Sequence, residues 1–181
     1  MNFVEDIIAK SAARPSANLA SARSVRGNPI DVFERVSVAD HLDFERVSAN
    51  EIHIALAGHW CEHDVSLVWN NEVQQVELYL LFDSRAPGGR TDDICRLLTL
   101  LNERLKTGHF DFWNTHNSLV YRSTLNLAGG AKLTIEQAMA LLAGALEAAE
   151  RGYPACQYVV WAGKTPEDAL DTALLDLAAH G

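Results

Sequence analysis

The sequence predicts one α+β domain, an antiparallel β-sheet flanked by helices. Three observations carry this. The 181 residues and their 48% hydrophobic share suffice to bury a core within a single domain. Segments with period-two apolar alternation occur in consecutive groups joined by turn-length links, as antiparallel hairpins require. Segments of helical period follow those groups instead of alternating singly with strands, which disfavours a Rossmann-type sheet.

Taken in order, residues 1–27 read as a flexible N-terminal arm and residues 28–181 as the domain. The arm is rich in Ala, Ser and Arg, and beyond a short apolar cluster at Phe3, Val4, Ile7 and Ile8 it has linker character. Asn28 is placed to cap a helix with Pro29 at its first position, and Val32, Phe33 and Val36 form its apolar stripe. Asp43–Val47 and Ile52–Leu56 read as strands about a polar turn at Ser48–Glu51. Asp64–Trp69 is a third strand, ended by Asn70-Asn71, and Val76, Leu78, Leu80 and Phe82 give a further half-buried strand of an antiparallel meander. Pro87-Gly88-Gly89 marks a loop. Thr91 is expected to cap a helix with Asp92 and Asp93 in its first turn, apolar positions at Ile94, Leu97, Leu98, Leu101 and Leu105, and a stop at Gly108.

Phe110–Trp113 and Leu119–Leu127 pair about a turn at Asn114–Asn117. Thr134 and Gln137 form a capping box for a helix carrying Ala138, Leu141, Leu142, Ala145 and Leu146 on one face. Gly152-Tyr153-Pro154 is expected to interrupt it; Ala155–Trp161 fits strand or helix by pattern, with helix favoured because Pro154 suits a first helical turn. Thr165-Pro166-Glu167-Asp168 opens a last amphipathic helix through Leu177. The predicted order is roughly αβββαββα, with the fourth strand at Val76–Phe82 and an extra C-terminal helix.

The net charge of −9 disfavours nucleic acid and anionic membrane surfaces, both of which need a cationic face. No apolar run approaches the roughly 20 residues needed to span a bilayer. Glu5 and Asp6 interrupt the N-terminal apolar residues, so no signal peptide is read there and cytoplasmic residence is expected. Cys61, Cys95 and Cys156 are too few and too odd in number for a disulfide framework, which implies reduced thiols.

The chemically richest stretch is His59-Trp60-Cys61-Glu62-His63. Two imidazoles and a thiolate are zinc-ligand types. On an extended strand, however, the two histidines lie ~13 Å apart, and no fourth ligand is evident, so no metal is expected without a bend. Gly129-Gly130-Ala131-Lys132 lacks the phosphate-loop spacing. Asp111, between Phe110 and Phe112, is expected to face away from the core. Asp83, Asp111 and Glu150 have no partner that spacing identifies. The sequence therefore names no catalytic, cofactor-binding or metal-binding residue. It points instead to a protein-binding module, with a small-ligand or enzymatic pocket between sheet and helices as the alternative.

Asn102-Glu103-Arg104-Leu105, Gly108-His109-Phe110-Asp111-Phe112-Trp113 and above all the block from Tyr153 to Leu170 resemble the YbjN family of bacterial sensory transduction regulators. Gly58–Cys61 is similar to that family's Gly-Arg-Trp-Cys turn, with His59 in place of Arg; His63 departs from the commoner aromatic. The resemblance covers about Asn28 to Leu177. It implies a fold like that of type III secretion chaperones, a homodimer, an unidentified protein partner and no catalytic residues.

Overall fold

The computed structural model describes residues 27–85 and 89–180; the arm expected over residues 1–27 lies outside them apart from Gly27. The elements are α1 (Ile30–Ala39), β1 (Phe44–Ser48), β2 (Glu51–Ala57), β3 (Glu62–Asn70), β4 (Gln75–Arg85), α2 (Thr91–Asn102), β5 (His109–Trp113), β6 (Ser118–Asn126), α3 (Ile135–Val160) and α4 (Pro166–His180). The α+β class and the order of elements are as the pattern predicts, with the half-buried fourth strand present.

All neighbours in the sheet are antiparallel, in the order β1-β2-β3-β4-β6-β5. Four strands form the expected meander, and the later hairpin adds to its β4 edge. Alternation decides the faces. Ile52, Ile54, Val65, Leu67, Val76, Leu78, Leu80, Phe82, Phe110, Leu119 and Tyr121 lie in one buried cluster with Phe33, Ile94, Leu97, Ala145, Val159 and Leu170 of the helices. The helices therefore cover one face of the sheet. No helix among the described residues is long and apolar enough to cross a membrane.

Local chemistry explains most ends. Pro29 already has helical angles (φ −56°, ψ −29°), and Asn28 Oδ1 accepts from the Ile30 N–H at 3.0 Å, so Asn28 is the effective cap. From β1, Arg46 reaches Asp31 and Glu34 at 3.0 and 2.6 Å and ties α1 to the sheet edge. Asn70 Oδ1 accepts from the Glu72 and Val73 N–H groups, closing the turn into β4. The Thr134–Gln137 capping box is present in both directions. At the start of α4, Thr165 Oγ1 accepts from the Asp168 N–H.

Three expectations are corrected. Thr91 is the first helical residue of α2, preceded by Arg90, and makes no capping bond; Arg90 instead pairs with Asp93 at 3.1 Å. The helix stops at Asn102, short of Gly108. The Asn102 carboxamide leaves the helix to bond the main chain of Phe110, accepting its N–H at 2.7 Å and donating to its carbonyl at 3.0 Å. Gly152-Tyr153-Pro154 does not interrupt α3, which runs unbroken for 26 residues. A proline inside a helix costs ~3 kcal/mol. Here Ala155, Cys156, Val159 and Val160 beyond it are buried, and burying each valine alone returns ~1.5–3 kcal/mol.

Candidate functional site

The stretch from Gly58 to His63 folds as a tight clasp between β2 and β3. β3 begins only at Glu62, so His59 and Cys61 sit on a bend and the extended spacing between the histidines does not apply. The Gly58 N–H donates to the Cys61 carbonyl at 3.0 Å. Glu150 of α3 locks the bend: its Oε1 accepts the His59 N–H at 3.0 Å and lies 3.5 Å from His63 Nε2. A Cβ on Gly58 would stand 2.3 Å from that oxygen and 2.7 Å from the Cys61 carbonyl. Only glycine fits beneath the carboxylate.

His63 is buried, at 2% exposure, with its ring edge-on to Phe82 and Tyr153. The Cys61 sulfur lies 3.7 and 3.9 Å from the two His63 nitrogens. Burial pushes the Cys61 thiol up; a Tyr153 hydrogen bond pulls partly back and the Glu150 charge adds to the rise. The thiolate is the reactive form, so this arrangement favours a protonated sulfur and does not prepare a nucleophile. The His59 ring turns to Trp60, edge to face at 4.9 Å. The bend thus brings Cys61 and His63 together, but among the described residues no three His, Cys, Asp or Glu side chains are placed to hold a metal. Glu150 and Tyr153 complete the cluster from α3. Both lie about 90 positions away, and nothing local signals the pairing.

On the sheet face away from the helices, Asp111 points as expected, between the inward Phe110 and Phe112. Its carboxylate accepts from Trp113 Nε1 at 3.3 Å and pairs with Arg122 at 3.3 Å. Arg122 Nε donates to His109 Nε2 at 2.7 Å. Burial lowers the His109 pKa and Arg122 lowers it further, against Asp111, consistent with a neutral ring that accepts.

A cleft of about 510 Å³ opens between the end of β6 and the first half of α3. It is lined by Thr107, Gly108, His109, Tyr121, Ser123, Thr124, Leu125, Gln137, Ala140 and Leu141. Tyr121 closes its floor, the hydroxyl donating to the Thr107 carbonyl at 3.1 Å. None of its ten lining residues is an acid, a lysine or an arginine.

Residues 29–158, well over half of the chain, match the model of the YbjN family, "Putative bacterial sensory transduction regulator". The chain belongs to the YbjN family. The clasp, the cleft and all but the last two residues of the sheet-packing helix α3 fall inside the matched span. Two solved structures are similar in outline. A chain of the ExsC–ExsE complex is 19% identical, over 66% of this chain and 86% of that one, with a TM-score of 0.48. YbjN from E. coli is 12% identical, over 88% and 96%, with a TM-score of 0.46. No protein of curated function matches.

Proposed function

We propose that this chain is a non-enzymatic protein-binding module, a regulatory or chaperone-like adaptor acting as a cytoplasmic homodimer. Membership of a family described as sensory transduction regulators carries the reading. The side chains with the most chemistry support it by how they are spent: Glu150, His63 and Cys61 bind one another and hold a bend. The cleft favours the alternative, a small-ligand site between sheet and helix, but its uncharged lining offers no anchor for the charged groups most metabolites carry.

The test is affinity capture with the full tagged chain from its native host, with light scattering on the purified protein. A specific, stoichiometric partner and a dimeric mass are expected. Recovery of no specific protein, together with a monomeric mass, would remove the reading.

A further inference from the structure

The cleft beside β6 is bordered by a strand edge whose pairing stops short. Asn102 bonds both main-chain groups of Phe110, so those groups point away from β6. Phe110 faces Tyr121 and His109 faces Arg122 in the register. Antiparallel pairs alternate, so Arg122 directs its N–H and C=O to His109, and Thr124 and Asn126 direct theirs the same way. An independent bond agrees: the Leu127 N–H donates at 2.8 Å to Gln74 on the opposite, β4 side. β5 pairs no further than His109, because Gly108, at φ +67°, turns the chain out of the lane towards Thr107. Among the described residues nothing pairs with the outer main chain of Thr124.

We propose that this lane is a binding site for an extended peptide segment of a partner protein, which would add as a short strand antiparallel to β6. The proposal rests on the protein-binding reading above and deepens it. Main-chain bonds from Thr124 and Asn126 would supply affinity, and the alternating side chains of the guest would supply specificity. Guest residues turned to the helix side meet Leu125, Ala140 and Leu141; those turned the other way meet the Thr124 hydroxyl. With no acid, lysine or arginine in the lining and a chain of net charge −9, the matching guest is uncharged at its centre and basic at its ends. A second copy of this chain centred on Thr124 does not fit. Two β6 edges related by a two-fold axis at Thr124 would need the lane beside Arg122, which His109 already fills.

The probe is a fluorescein-labelled peptide, Lys-Thr-Val-Thr-Val-Thr-Lys, titrated with the full chain and read by anisotropy. Two variants accompany it. Thr124→Pro deletes the outward N–H, a change an edge strand tolerates. Ala140→Trp fills the cleft from an exposed helix position. Saturable binding is expected, weakened about tenfold or more in each variant while thermal melting stays that of the parent. If Thr124→Pro fails to fold, Ala140→Trp alone decides. No saturation up to about 1 mM, or equal affinity in the folded variants, overturns the site. A dimeric mass lost in both variants would make the occupant a second copy and overturn it as well. Capture of a partner protein that survives both substitutions leaves the protein-binding reading standing and removes this lane.

Discussion

The ring of Phe110 occupies the space where any side chain at position 152 would begin. A Cβ built on Gly152 would lie 2.6 Å from Phe110 Cζ and 2.8 Å from Cε1. The ring has no room to retreat, since Phe82 and Tyr121 pack on it with centroids 5.8 and 5.5 Å away. The glycine that looks like a helix breaker is thus a point at which α3 packs directly on the sheet.

Gly152→Ala is therefore expected to destabilise despite the better helix propensity of alanine, which is worth only ~1 kcal/mol. Overpacking costs ~1–3 kcal/mol, and each kcal/mol lowers the melting temperature by roughly 2–4 °C at this chain length. Thermal denaturation checks the sign. Adding Phe110→Leu to Gly152→Ala should recover part of the loss. An alanine variant that melts higher than the parent would contradict the close packing.

This contact marks where the sequence was legible and where it was not. Alternation at Val76, Leu78, Leu80 and Phe82, and the Thr134–Gln137 box, are local signals, and the structure follows them. The errors came where a distant element overrode a local rule. Asn102 ends α2 because Phe110 needs a partner, and Pro154 stays helical because its neighbours are buried. The clasp had the same limit. His59, Cys61 and His63 stand out by type, but the side chain that organises them, Glu150, comes from another element 91 positions on.

Asn102 fills the outer edge of β5 with a side chain acting as a strand. Asn102→Ala leaves the buried Phe110 N–H and carbonyl without their two bonds, at a cost of ~1–3 kcal/mol. Asn102→Asp keeps the acceptor and loses the donor, so it should fall between. Denaturant midpoints measured at unchanged m-value give the ranking; an alanine variant as stable as the parent would show that solvent replaces both bonds.

Glu150 separates two contributions to the clasp. Glu150→Gln keeps an oxygen for the His59 N–H but removes the charge facing His63, and Glu150→Ala removes both. If the hydrogen bond dominates, the alanine variant loses ~0.5–1.5 kcal/mol and the glutamine variant stays near the parent. Equal losses would instead assign the stabilisation to the His63–Glu150 pair. Hydrogen exchange at His59, read by NMR, should rise in the alanine variant first.

The thiols give a pH signature. Cys95 is exposed, Cys61 half-buried and Cys156 buried, and burial pushes Cys156 from 9.0 up to about 12. In the folded chain the Cys156 thiol therefore keeps its proton at pH values where the unfolded chain has lost it. The native state binds more protons between the two values, so stability is fully present below pH 9.0 and falls as pH rises towards about 12. Replacing Cys156 by alanine removes this slope at the cost of a small cavity. Denaturation midpoints from pH 8 to 10.5 should decline more steeply for the parent than for Cys156→Ala. Labelling with a thiol reagent at neutral pH should proceed in the order Cys95, Cys61, Cys156, the last only on unfolding. Parallel pH slopes, or rapid labelling of Cys156 in the native chain, would contradict its burial at the α3 core.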